Sequence, residues 1–208
     1  MPNWCMTSIG IKADARDEEA VKQLKALREE AQTVLTRSEQ GSDQGWIGIF
    51  LLNHGKDPEG ISCRGFLSDV YEPTVKDNTM YFVIDENDAW SPKLDLWDEM
   101  MTLPEYNKLS YVARAEESGC EVFVNTDDSG TIFPELYILD YSVKVPSEGK
   151  WMDDYVYFES ITDLLSECKK LFGVDGKSFE DLQRKLDAYS ESHSDDVELL
   201  NVHQFESC

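Results

Sequence analysis

The sequence predicts an α+β fold of ferredoxin-like type, an antiparallel sheet with its helices on one face, followed by a C-terminal helical appendage. Three observations predict it. Strand-like segments at Asn3–Lys12 and Met80–Ile84 are each followed by a segment of helical spacing. A run of short strands then closes the region, interrupted by turn residues. Strands with helices segregated to one face are the α+β arrangement.

Trp4, Met6 and Ser8 alternate with Cys5, Thr7 and Ile9, so Asn3–Lys12 reads as the first strand. Asp14 and Asp17 are candidate N-caps for the next segment. From Glu18 to Leu35, apolar residues recur at Ala20, Val21, Leu24, Leu27, Ala31, Val34 and Leu35, the spacing of a helix packed on a sheet. Ser38–Gly45 is a loop by composition. Trp46–Leu52 is a short apolar run that suits a strand or a buried helix equally. Arg37–Thr79 as a whole reads as an insert, with Gly55, Pro58 and Gly60 marking a second loop.

Met80–Ile84 is rich in β-forming residues and reads as a strand. The acidic run Asp85–Asp88 reads as the loop after it. Ser91-Pro92 then opens a helix, with Ser as N-cap and Pro at the first helical position. Leu94, Trp97, Met100 and Met101 form its buried stripe, and Pro104 ends it. Two strands follow, Leu109–Ala115 and Glu121–Asn125, joined across Glu117-Ser118-Gly119. After the turn Asp127-Asp128-Ser129-Gly130 comes a further strand, Ile132–Tyr141.

These elements make a first domain over residues 1–145, with the insert at 37–79. Residues 146–208 form an extension. In it, Tyr155–Phe158 is a strand and Ser160–Phe172 an amphipathic helix. Ser178, with Asp181 in the acidic position of a capping box, starts a second helix. The Ser- and acid-rich stretch from Ser190 to Cys208 is expected to fray.

Composition narrows the function. The chain has 208 residues, 41% of them hydrophobic, enough for a packed core. No apolar run reaches the length of a membrane span, and the N-terminus lacks the basic and apolar regions of a secretory signal. The cytosol is the expected compartment. Five cysteines lie far apart, without metal-ligand or disulfide-framework spacing. Acidic residues number 42 against 19 basic ones, a net charge of −23. Such a field repels nucleic acid and anionic membranes and attracts basic proteins.

Two motifs carry a resemblance. The chain begins Met1-Pro2-Asn3-Trp4-Cys5 and contains Ala89-Trp90-Ser91-Pro92 after the strand Met80–Ile84. Over residues 1–140 this pairing resembles the YubB/Api92-like family of phage and plasmid proteins, whose domain is described as ferredoxin-like. The chain departs from the family in lacking the Trp- and Lys-containing strand between the motifs, in its insert at 37–79 and in its extension beyond 145. The resemblance implies a mobile genetic element as source and supplies no catalytic activity. Trp4 and Trp90 are expected in the core.

Catalytic signatures are sparse. His54, His193 and His203 stand in no metal-ligand spacing, and the sequence holds no phosphate-binding glycine loop or nucleophile elbow. The runs Asp85–Asp88 and Asp127–Gly130 fall short of a calcium-loop pattern. No catalytic residue, metal or cofactor is therefore expected. Charge is more informative. Asp77–Val143 holds fifteen acidic and three basic side chains, a net of −12. Asp85, Glu86, Asp88, Asp95, Asp98, Glu99, Asp127 and Asp128 are the candidate partner-binding residues, read as a ladder of carboxylates that imitates duplex phosphates.

The expected function is that of an acidic, non-catalytic protein from a mobile genetic element. It is expected to inhibit a host nucleic-acid-binding defence complex, a CRISPR effector or a restriction enzyme, by filling its basic groove in the bacterial cytoplasm. A homo-oligomer is compatible with the sequence. The alternatives are an antitoxin or immunity protein that neutralises a basic toxin, and a small metal-dependent enzyme.

Overall fold

A computed structural model describes residues 3–37, 44–145 and 150–207. The loop expected at Ser38–Gly45 falls largely outside them, as do Met1, Pro2 and Cys208. The protein is α+β and divides into two compact units, Met1–Phe133 with Ser207–Cys208, and Pro134–Glu206.

The first unit opens with β1 (Trp4–Asp14) and α1 (Glu18–Thr36). Asp17 caps α1, its Oδ1 accepting from the amides of Glu19 at 3.0 Å and Ala20 at 3.2 Å. The ambiguous run at Trp46–Leu52 resolves as a short helix, α2 (Gly48–Asn53). The insert then supplies two strands, β2 (Gly65–Val70) and β3 (Thr74–Lys76). They are followed by β4 (Thr79–Ala89), α3 (Leu94–Met101), β5 (Ser110–Glu117) and β6 (Val122–Asn125). The strand order is β2-β4-β1-β5-β6, with β3 also on β4, and every pairing is antiparallel.

Alternation along β1 sorts its residues between the faces. Ile9, Ile11 and Ala13 point under the helices. They join Phe82 and Ile84 of β4, Leu24, Leu27, Ala31 and Val34 of α1, Phe50 of α2, and Leu96, Trp97 and Met100 of α3 in one core. Trp4, Met6, Ser8 and Lys12 point to the opposite, helix-free face. The turn after β6 covers part of that face: a Cβ on Gly10 would meet Ile132 at 3.0 Å.

Two expectations are corrected here. Asp85–Asp88 is not a loop but the second half of β4, because β1 and β2 flank it and pair it along its length. Helix α3 begins at Leu94 rather than at Pro92. Its N-cap residue is Lys93, which makes no side-chain cap, so Ser91 does not take the capping role expected of it; the Lys93 amide donates to Asp88 Oδ2 at 3.3 Å.

The second unit contains β7 (Tyr137–Val145), β8 (Lys150–Phe158), α4 (Ile161–Phe172), α5 (Phe179–Ser192) and β9 (Val197–Gln204). Its sheet runs β8-β7-β9, antiparallel throughout. Ser160 and Ser178 cap the two helices by accepting from the Asp163 and Asp181 amides, each at 3.2 Å. Leu139 and Tyr141 pack with Leu164, Cys168, Leu182 and Leu186 of the helices and with Leu200 and Val202 of β9.

The division between units therefore falls at Phe133/Pro134, earlier than residue 145, because β7 is the central strand of the second sheet. The tail expected to fray instead forms β9: its alternate residues Leu200 and Val202 bury apolar surface among otherwise polar neighbours.

Candidate binding surface

The eight carboxylates singled out from the sequence do not form one surface. Glu86, Asp88 and Asp127 are interior, at 1%, 0% and 3% exposure. They leave the proposed contact set for a geometric reason: strand alternation turns Glu86 and Asp88 beneath the helices, and the turn after β6 closes over its own Asp127. Asp127 is the bracket of that turn. It accepts from the Ser129 hydroxyl at 2.6 Å, from the Ile132 amide at 2.7 Å and from the Phe133 amide at 3.0 Å. Burial opposes its ionisation, yet these donors outweigh burial and hold the carboxyl below its ordinary value.

The remaining five divide between the two sides of the sheet. Asp95, Asp98 and Glu99 lie on α3, which covers one face. Asp98 accepts from the Tyr111 hydroxyl at 2.7 Å, and Glu99 pairs with Lys56. Asp85 lies on the opposite, open face, and Asp128 is exposed at the tip of the turn after β6. Among the described residues, no cation meets Asp85, Asp95, Asp98 or Asp128.

Glu86 and Asp88 form a buried acid pair. Thr7 of β1 stands opposite Glu86, and Cys5 stands opposite Asp88. Trp97 Nε1 donates to Glu86 Oε1 at 3.1 Å. The buried Lys93 donates its ammonium to the Ala89 carbonyl at 2.6 Å. Glu86 Oε2 and Asp88 Oδ1 find no hydrogen-bond partner. Asp88 Oδ1 lies against the Cα of Gly65, where a Cβ would sit only 2.0 Å away, so residue 65 has no room for a side chain. Burial raises both carboxyls, and the charge of Asp88 raises Glu86 further. Burial likewise pushes the Cys5 and Cys63 thiols up to about 11, so neither is a ready nucleophile.

A second polar cluster joins α1, α2 and the segment before β5. Glu30 accepts from the Tyr106 hydroxyl at 2.6 Å and from Asn53 Nδ2 at 2.8 Å, and its Oε2 lies 3.1 Å from His54 Nε2. Burial and the Glu30 carboxylate raise the Tyr106 phenol above its ordinary range. The cluster orders an imidazole by a carboxylate, as an acid–base dyad would. No serine, threonine or cysteine bonds to His54 among the described residues, so the arrangement reads as a clamp across three elements. Glu30 stands 23, 24 and 76 positions from Asn53, His54 and Tyr106, beyond the reach of a spacing motif. Among the described residues, no group of three or more His, Cys, Asp or Glu is placed to hold a metal ion.

The open face of the first sheet presents aromatic side chains beside carboxylates. Trp4 and Trp90, expected in the core, are 44% and 49% exposed. Trp4 is outside because it occupies the helix-free parity of β1. Trp90 follows the end of β4 with φ +74°, a backbone that bulky L-residues adopt only under strain, and its amide donates to the Asn3 carbonyl at 2.9 Å. Trp4 meets Phe66 of β2 edge to face, ring centroids 6.0 Å apart. Phe66 lies in one cross-strand row with Asn87 and Met6. The next row places Asp69 directly opposite Asp85. Asp85 accepts from the Ser8 hydroxyl at 2.6 Å and from the Tyr71 hydroxyl at 2.8 Å. Met6 and Tyr71 are exposed. Phe66, Asp69 and Tyr71 escaped the sequence reading because the insert was not resolved into strands. The alternation Phe66-Leu67 was the available signal, and the irregular register between Leu67 and Asp69 hides its continuation.

The fold and this surface together define the class: a two-unit α+β protein with an acidic, aromatic sheet face. Comparison with family models, curated proteins and solved structures returned no match. Among the described residues, no helix is long and apolar enough to cross a membrane.

Proposed function

We propose that this chain is an acidic, non-catalytic binding protein of a mobile genetic element, one that inhibits a host nucleic-acid-binding defence complex by occupying its basic groove in the bacterial cytoplasm. One observation carries the reading. In a chain of net charge −23, Asp69, Asp85, Asp95, Asp98 and Asp128 stand at the surface with no cation meeting them among the described residues. Carboxylates that meet neutral donors but no internal cation keep their charge available for the lysines and arginines that ordinarily hold phosphates. The order β2-β4-β1-β5, with α1 and α3 as the connecting helices, supports the ferredoxin-like reading and with it the resemblance to phage and plasmid proteins.

The test is capture of partners from a bacterial lysate, followed by binding measurements with the isolated partner over a range of salt. Affinity is expected to fall steeply with ionic strength. The combined variant Asp95→Asn/Asp98→Asn/Asp128→Asn is expected to bind about tenfold or more weakly, since removing single rim charges changes affinity by modest factors each. Affinity that ignores both salt and these substitutions overturns the proposal.

A further inference from the structure

The helix-free face of the first sheet has a composition that a simple solvent-facing sheet does not need. Asp69 and Asp85 oppose each other across β2 and β4. Like charges in directly opposed positions destabilise an antiparallel pair. The donors that reach Asp85 are both neutral hydroxyls, from Ser8 and Tyr71. Asp69 receives only the amide of its neighbour Val70, at 2.7 Å. Arg28, which the β2 side engages, is turned to the Tyr71 carbonyl and to Glu72, and Arg114, which stands opposite Ser8 in the same cross-strand row, lies over the Phe133 ring. The repulsion is therefore left standing in the folded chain.

Around this pair the face is aromatic. Tyr71 bonds to Asp85 itself. One row further along the strands lies Met6, with Phe66 on its far side, and beyond it Trp4 packs edge-on against Phe66. Trp4, Met6 and Tyr71 are all exposed. Large apolar groups facing solvent beside uncompensated charge mark a contact surface rather than a passive one.

We propose that this face docks an arginine-bearing segment of the protein partner. A guanidinium is planar and weakly hydrated: it stacks on an aromatic ring while its N–H groups reach carboxylates. Asp69 and Asp85 receive those N–H groups, and their mutual repulsion is relieved only when the cation arrives. Tyr71 and Trp4 supply rings, and Met6 and Phe66 supply apolar contact for the arginine stem. An ammonium meets the carboxylates equally well but stacks less, so the face discriminates arginine from lysine. This rests on the binding function proposed above and names a contact separate from Asp95 and Asp98, which lie across the sheet on α3.

The experiment titrates the full chain with nona-arginine and with nona-lysine peptides by calorimetry, at low salt and at about 0.15 M salt, where exposed charges are screened beyond roughly 8 Å. The wild-type chain is expected to bind nona-arginine more tightly than nona-lysine, and to keep the difference at the higher salt. Trp4→Ala and Tyr71→Ala are each expected to weaken nona-arginine binding about threefold to tenfold and leave nona-lysine binding nearly unchanged. Asp69→Asn is expected to weaken both peptides. Asp95→Asn/Asp98→Asn is expected to leave the arginine preference intact. Circular dichroism confirms that each variant folds. Equal affinity for the two peptides, with the aromatic variants binding as wild type, overturns the docking face while acid-driven binding stands. Absence of binding to either peptide removes the electrostatic reading of the function as well. Concentration-dependent dimerisation that Trp4→Ala abolishes overturns the proposal in favour of a second copy of the chain on this face.

Discussion

Asp85 and Glu86 are consecutive, carry the same charge and meet opposite fates. Asp85 projects from the helix-free face, accepts two hydroxyl donors and opposes Asp69 across the strand. Glu86 projects beneath the helices, is held by Trp97 and keeps one oxygen without a partner. The difference comes from the two-residue period of a strand and from nothing else in the local sequence. A carboxylate count therefore says little until each position is assigned a face. On the open face, an acid repels its neighbour and awaits an external cation. On the covered face, the same group is forced toward its neutral form.

The tryptophans repeat the contrast and offer the strongest way to break it. Trp97 is fully buried, its ring tilted against that of Phe50 with centroids 5.3 Å apart, and is bonded to Glu86. Trp97→Ala is expected to cost about 3–5 kcal/mol in urea unfolding, from lost burial, the cavity left behind and a further orphaned carboxyl. Trp4→Ala is expected to cost less than about 1 kcal/mol, since the ring already faces solvent. Comparable losses at the two sites would mean that Trp4 belongs to the core after all, as its place in an alternating apolar strand had suggested.

The buried acid pair makes stability depend on pH in an unusual direction. Burial raises Glu86 and Asp88, so the folded state binds protons more readily than the unfolded chain. Their contribution is fullest below the ordinary carboxylate range and declines as pH rises through their raised values. Asp14 and Asp181 act oppositely. Hydrogen bonds from Arg16 and from Lys185, respectively, lead in holding each at about 2, so the stability they bring is present above pH 4 and lost as pH falls toward 2. The unfolding free energy is therefore expected to peak on the acid side of neutrality and to decline as pH rises through the raised carboxyls, that of Asp88 lying at about 6. Glu86→Gln/Asp88→Asn should flatten that decline while leaving the loss below pH 4. A decline that persists in this double variant would place its origin in the surface charge.

The elements were legible in the sequence wherever local chemistry decides them. Asp17 and Ser178 cap the helices they precede, and the stripe of α1 packs inward through Leu24, Leu27, Ala31 and Val34. What escaped depends on partners distant along the chain. Asp85–Asp88 is a strand because β1 and β2 flank it, although its four polar residues read as a loop. The last strand, β9, forms because β7 offers it an edge, although its own composition suggests fraying. The candidate surface suffered most. Its acids were grouped by nearness along the chain, and pairing then sent neighbours to opposite faces and brought in Asp69 and Tyr71 from a segment read as an insert.

The smallest expected effect tests the open face most directly, because it reverses the usual sign for losing a polar interaction. Asp69→Asn keeps the shape of the side chain and its acceptor for the Val70 amide, while removing one charge of the opposed pair. If Asp69 and Asp85 repel in the free protein, the variant is more stable than wild type by a few tenths of a kcal/mol at low salt. Added salt screens exposed charges, so the gain shrinks as ionic strength rises. Saturating nona-arginine reverses the order: the wild type then gains more thermal stability than the variant, since only the intact pair receives the guanidinium on both sides. A variant less stable than wild type at every salt concentration would mean that the pair is internally satisfied, and the open face would lose its reason to seek a cation.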